Sequence, residues 1–295
     1  MNQVPSVPTN LQLSLGQCAA IACTLEATIP KPGNVHRSAD FEDCTFTDFL
    51  LSAHAIARPF DLANELTTGQ LVLQSVQATR QLVSTNTNLG LILLMAPLAK
   101  SQLVHPEYRI TQQNAYEVLQ HLTTDDASDV FEAIRLAQPG GMGSAAEYDI
   151  NEQQIPATLL AAMRAASDRD LIAAQYVNGY EQLFKCIVPS LQRSQAKKES
   201  IVDYVIRTFL EFLAEYPDSL IARKLGVEFS KQVSCRAAGV LAVGEGDNPD
   251  YLQALSDFDF WLRSDGNRRN PGTTADFIGA GLFVCLCNQT IIPPF

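Results

Sequence analysis

Residues 11–27 read LQLSLGQCAAIACTLEA, and this stretch decides the fold class. Its apolar residues recur at helical spacing, and Cys18, Ala19, Ala20, Ala22 and Cys23 are small. Small side chains let neighbours approach closely, so the segment predicts a tightly packed central helix. The same spacing continues outward. Thr45-x-x-Asp48 has the form of a capping box with Asp in place of Glu. It opens a helix to about residue 66, with a kink expected at Pro59. Further helices are predicted over 69–83, 91–100, 111–121, 128–137, 168–190, 199–215, 219–225, 228–243, 250–263 and 273–287. Gly226 is placed to end one of them. Residues 138–156 hold Pro139, Gly140, Gly141 and Gly143 and read as a loop. Sustained period-two alternation is missing, so the chain is predicted all-α. No composition break divides it. One domain over 10–288 is expected, with mobile ends at 1–9 and 289–295.

The chain has 295 residues, 32 acidic and 21 basic, for a net charge of −11. Such a surface excludes general nucleic-acid or anionic-membrane binding, which needs a positive field. A local cationic pocket remains compatible with it. Seven cysteines without a Cys-x-x-Cys pair predict free, mostly buried thiols in a reducing compartment. Cys285 and Cys287 stand two apart on a helix and so face different sides. Met1-Asn2-Gln3-Val4-Pro5 is not a secretory signal pattern. The longest apolar runs are about 11 residues, short of the ~20 that span a bilayer. A cytoplasmic protein is expected, with pairing into a homodimer as the base-rate assembly.

Four polar segments do not read as ordinary loops. Pro30-Lys31-Pro32-Gly33-Asn34-Val35-His36-Arg37 is stiffened by prolines and would present Lys31, Asn34, His36 and Arg37 to an anion, though a Pro-Gly turn with solvated charges reads equally simply. Ser84-Thr85-Asn86-Thr87-Asn88-Leu89-Gly90 offers five hydroxyl or amide groups before an apolar helix, where a cap needs one. In Pro217-Asp218-Ser219-Leu220-Ile221-Ala222-Arg223-Lys224, Asp218 or Ser219 would cap a short helix and Arg223 and Lys224 would close it. Ser219 and Arg223 share a face. Arg268-Arg269-Asn270-Pro271-Gly272-Thr273-Thr274-Ala275-Asp276 places Asn270 as an N-cap, Pro271 at N1 and hydroxyl donors at a positive helix end.

Together these segments resemble the triphosphoribosyl-dephospho-CoA synthase (CitG-like) family. The matching stretches are EATIPKPGNV (26–35), TNTNLGLILLMAP (85–97), GGMGSAAEYD (140–149), PDSLIARKLG (217–226) and NPGTTAD (270–276). The chain looks like a divergent branch, with Asn88-Leu89-Gly90 where citrate-lyase-pathway members tend to have His-Lys-Gly. The resemblance implies an all-helical domain that transfers the triphosphoribosyl group of ATP to 3′-dephospho-CoA or a related acceptor, releasing adenine.

Attack on C1′ of ATP passes through an oxocarbenium-like state, which a carboxylate would stabilise or serve as base. Asp218, Asp276 and Glu26 are the candidate acids, with Asp276 and Asp218 also the candidate Mg²⁺ ligands. Lys31, Arg223 and Lys224 are candidate triphosphate partners, with Ser219, Thr273 and Thr274 beside them. Asn34, Asn86, Asn88 and Asn270 would bind ribose or phosphate. Two other readings compete. One is a helical nucleotide-binding protein without chemistry. The other is a Mg²⁺-dependent diphosphate enzyme of isoprenoid type, suggested by Asp125-Asp126-x-x-Asp129, although plain capping explains those acids. Of the histidines, His54, His105 and His121 lack a metal-site partner by spacing. His54 is expected in the core.

Overall fold

A computed structural model describes residues 12–104, 109–139, 158–196, 200–293 and 295. Its helices are α1 (Leu15–Thr28), α2 (Phe46–Asp61), α3 (Thr68–Leu82), α4 (Leu89–Val104), α5 (Gln112–Gln120), α6 (Thr124–Ala137), α7 (Leu159–Ala166) and α8 (Leu171–Asn178). A π-helical turn, Leu183–Ile187, then runs into α9 (Val188–Ala196). The rest are α10 (Ile201–Glu215), α11 (Ser219–Leu225), α12 (Val227–Val243), α13 (Pro249–Arg263) and α14 (Gly272–Cys287). Among the described residues, extended structure is limited to Ser264–Asn267 and two isolated bridges, His36–Ala39 and Phe41–Cys44. The all-α expectation holds. The expected loop beyond residue 139, the end at 1–9 expected to be mobile, and His105 lie outside the described residues. In the expected mobile tail, Ile291 is buried.

Two helices, α4 and α14, are apolar on every side and form the centre. α14 packs on α4, α1, α9 and α10, and α1 packs on α2. The small residues of α1 act as the sequence suggests. A Cβ on Gly16 would stand 2.1 Å from the carbonyl oxygen of Ala57, so α1 and α2 meet backbone to backbone. Pro97 lies inside α4 and has no N–H for the carbonyl of Leu93. Tyr176 supplies that donor, its hydroxyl 2.7 Å from Leu93 O, and Tyr180 does the same for Leu94 O at 2.7 Å. A proline-broken ladder in the core is thus repaired from α8 and the turn that follows it.

Carboxylates tie helix N-termini to neighbouring elements. Asp61 accepts from Gly16 N at 2.8 Å and Asp126 from Gly69 N at 2.7 Å. Asp218 accepts from Thr274 N at 2.7 Å. Each places a negative group on orphan donors at the positive end of a helix.

Several expectations are corrected. The helix predicted over 168–190 breaks after Asn178, where Gly179 and Tyr180 take left-handed φ of 69° and 60°. Glycine tolerates that conformation, and Tyr180 is held in it by its bond to α4. α2 ends at Asp61, two residues beyond Pro59, and short of residue 66. His54 is exposed, because α2 buries Ser52, Ala53, Ile56, Pro59 and Phe60 on the opposite face. Asn270 does not cap α14. That helix begins at Gly272 without a side-chain cap of its own, and Asp218 caps it from another helix.

Candidate active site

A cavity of about 760 Å³ opens where several helix ends meet. Glu26 reaches it from the last turn of α1, Asn34 and Asp43 from the following loop, and Thr85, Asn86, Thr87 and Asn88 from the turn before α4. Asp170 enters from the start of α8, Arg223 and Lys224 from the end of α11, and Asn270, Thr273 and Asp276 from the start of α14. The N-terminal ends of α4, α8 and α14 therefore border one space, with their positive dipole ends toward it. Much of the remaining wall is apolar: Val130, Phe131 and Ile134 of α6, Leu159, Ala162 and Met163 of α7, and Ile172 and Ala173 of α8.

Two acids occupy the polar wall. Asp276 is half-buried and has no hydrogen-bond partner among the described residues. Burial, then the charges of Glu26, Asp218 and Asp170, push its pKa well above the usual carboxylate range, with Arg223 opposing. Asp276 therefore keeps its proton to higher pH than an ordinary aspartate. A Cβ on Gly90 would stand 2.1 Å from Asp276 Oδ2, so glycine in the first turn of α4 leaves room for this carboxyl. Glu26 is buried and ion-paired, its Oε1 3.0 Å from Lys31 Nζ. Its other oxygen has no protein partner among the described residues. Cys23 also lines the cavity, and burial beside Glu26 and Asp276 pushes its thiol well up.

A family model described as ATP:dephospho-CoA triphosphoribosyl transferase, CitG, matches residues 12–292. The chain belongs to the CitG family. A crystal structure of a candidate triphosphoribosyl-dephospho-CoA synthase from Archaeoglobus fulgidus superposes with a TM-score of 0.62 at 22% identity. The overlap covers 82% of this chain and 100% of the other, and at that identity the likeness speaks for the fold. None of the curated proteins compared with the sequence matches it. As a CitG-family member the chain is a transferase of the triphosphoribosyl-dephospho-CoA synthase type. ATP is a substrate of the family reaction.

Within this CitG chain the structure brings Glu26, Asn34, Asn86, Asn88, Arg223, Lys224, Asn270, Thr273 and Asp276 to one cavity. Asn34 donates to Asn270 Oδ1 at 2.6 Å, and its own buried Oδ1 has no partner. Asn86 accepts from Leu89 N at 3.2 Å and so caps α4, while Asn88 lies 3.4 Å from Thr79 Oγ1. Lys224 donates to Asn267 O at 3.0 Å. Burial lowers its pKa, and Asp43 and Asp218 hold it up. Arg223 is ion-paired with Asp170, which also caps α8 through Ile172 N and Ala173 N.

Four candidates do not line the cavity. Asp218 is fully buried, with Oδ1 accepting from Leu220 N and Ile221 N and Oδ2 from the amide and hydroxyl of Thr274. Burial raises its pKa and those donors pull it back. Ser219 and Thr274 are buried with it, Ser219 bonding Thr273 Oγ1 at 3.1 Å. Lys31 is wholly inaccessible and faces Glu26. His36 and Arg37 stay outside the cavity lining, as do Arg268 and Arg269. Arg269 lies over the rings of Trp261 and Phe229, and Arg268 pairs with Asp265. Asp43, Arg169, Asp170 and Asn267 are cavity residues that the sequence motifs do not include. Asp170 carried a signal, an acid just before an apolar helical run.

The aspartate-rich pattern is structural. Asp126 caps α6 with Thr123 and takes Gly69 N, so it is committed to two helix starts. The described residues contain no group of three or more His, Cys, Asp or Glu side chains that could hold a metal ion. Both oxygens of Asp218 are committed to four donors, so Asp218 does not fit the expected role of a Mg²⁺ ligand beside Asp276. No described helix is long and apolar enough to cross a membrane.

Proposed function

We propose that this cavity carries out the family reaction directly: a hydroxyl of 3′-dephospho-CoA attacks C1′ of ATP, and adenine leaves. The observation that carries this is the placing in one wall of Glu26, a carboxylate ion-paired with Lys31, and Asp276, a carboxyl without a protein partner among the described residues whose pKa burial raises. The reaction needs both kinds of acid. The attacking hydroxyl must lose a proton as its oxygen bonds to C1′, and the departing adenine must gain one as the bond from C1′ to nitrogen breaks. Glu26 is the base and Asp276 the acid in this reading, so one proton is taken and one given per turnover. The Glu26 charge also favours the positive character that develops on the ribose.

The triphosphate has a separate seat. Lys224 and Arg223 supply the positive charge, and Thr273 and the backbone at the start of α14 supply donors. Mg²⁺ in this reading travels as part of the ATP substrate. The apolar wall from α6, α7 and α8 has no counterpart in ATP, whose groups are all polar or aromatic. It suits the aliphatic arm of the acceptor, and a cytoplasmic setting would supply both substrates. The test is chromatographic: adenine formed from Mg-ATP with and without dephospho-CoA. Acceptor-dependent adenine release is expected. ATP binding with no adenine formed would leave only a nucleotide-binding protein.

A further inference from the structure

Among the described residues Lys31 is the one lysine whose side chain is completely closed off, and its ammonium group is fully used. Its three N–H donors meet three acceptors: Glu26 Oε1 at 3.0 Å, the backbone oxygen of Glu26, and Ile29 O at 3.3 Å. Two of the three belong to the same residue, so the lysine grips Glu26 by backbone and side chain together. Its own backbone is set by Pro30 and Pro32, because proline fixes its own φ and restricts the residue before it. Lys31 N also closes a tight turn onto Ile29 O at 2.8 Å. Burying an ammonium ion is costly unless it is paired and hydrogen-bonded, and here the pairing is to a cavity carboxylate. Nothing else about the fold explains a lysine at this point, since an apolar side chain would fill the space without that cost.

We propose that Lys31 is a positioning residue for the transfer reaction: it holds the Glu26 carboxylate in place in the cavity wall, and does not touch the triphosphate. This rests on the reading of Glu26 as the base. The alternative, that Lys31 is a triphosphate ligand, makes an opposite kinetic prediction. A lost ligand raises KM for ATP. A lost support for the base lowers kcat.

The experiment compares wild type, Lys31→Met, Glu26→Gln and the double variant by adenine release from Mg-ATP with dephospho-CoA. Lys31→Met should lower kcat by roughly 100-fold, the scale of a displaced general base, with KM for ATP nearly unchanged. In the Glu26→Gln background the lysine change should cost nothing further. The double variant carries neither buried charge, so it is the safer one to fold, and its comparison with Glu26→Gln stands even if Lys31→Met alone does not fold. A rise in KM for ATP with kcat intact would overturn the inference, as would losses that multiply in the double variant. Wild-type protein that forms no adenine would instead overturn the reading of the site, and this inference with it.

Discussion

Oδ2 of Asp276 occupies the place a side chain on residue 90 would need, 2.1 Å from the Cβ position of Gly90. Glycine is ordinarily a poor choice inside a helix, about 0.5–1 kcal/mol worse than alanine. Gly90→Ala should therefore favour α4 locally while pushing the Asp276 carboxyl aside. The expected result is a loss of roughly 100-fold in kcat with a melting temperature at or above that of wild type. Thermal melting together with the adenine assay checks it. A variant with full activity would show that the position of Asp276 is unimportant.

Asp218 should behave in the opposite way. Four donors converge on its buried carboxylate, two from α11 and two from Thr274. Asp218→Ala leaves them unsatisfied, at about 1–3 kcal/mol for each group not rescued by water. A loss of roughly 3 kcal/mol or more is expected, seen as a fall in urea midpoint. The folded fraction should keep its KM for ATP. Activity lost without any loss of stability would return Asp218 to the chemistry.

The contrast between these two aspartates shows where the sequence could be read and where it could not. The helices were legible because apolar spacing, capping boxes at Thr45 and glycine at 226 are local patterns. The cavity was legible as a set of segments, since each of the four polar stretches contributes at least one residue to its wall. What spacing does not contain is direction. Asp218 and Asp276 look alike as acids near a helix start, yet one turns inward to cap α14 and the other faces the cavity. Lys31 looked like an exposed cation on a stiff loop, and only the fold turns it back onto Glu26. The break after Asn178 was hidden because Tyr180 adopts its left-handed backbone for a bond to the carbonyl of Leu94, more than 80 residues away in the chain.

Asp276 should also make stability depend on pH. Its folded pKa is raised, mainly by burial and next by Glu26. Below the ordinary carboxylate range both folded and unfolded states hold the proton, and nothing is lost. As pH rises, the unfolded chain releases its proton first, so the folded state loses stability until the raised pKa is passed. Asp276→Asn cannot ionise. Its stability advantage over wild type should be near zero at about pH 4 and grow toward neutral pH, while adenine release is abolished. Melting curves of the two proteins across that range decide it, and curves that run parallel would contradict a raised pKa.

Lys224 faces the cavity with one firm protein bond, to Asn267 O at 3.0 Å. That leaves donors for a phosphate. Lys224→Met should raise KM for ATP by roughly 10-fold or more, since hydrogen bonds to charged groups contribute about 1.5–3 kcal/mol. The effect should shrink as salt is added. Titration at two ionic strengths separates this from a structural effect, which salt would not reduce.

The apolar wall makes a prediction about the acceptor alone. Ala162 lies on α7 in the apolar half of the cavity wall, which Phe131 and Met163 also line. If that half receives the aliphatic arm of dephospho-CoA, a larger side chain there should exclude the arm and leave ATP untouched. Ala162→Trp is expected to raise KM for dephospho-CoA roughly 10-fold or more, in line with the 1–3 kcal/mol that overpacking usually costs, with KM for Mg-ATP nearly constant. ADP is dephospho-CoA without the arm, and as an acceptor it should be used equally well by both proteins. Should KM for ATP rise with that for the acceptor, the apolar half would instead seat the adenine of ATP. The arm would then have to lie along the polar wall, where Asn34, Asn86 and Asn88 offer amides for its own amide groups.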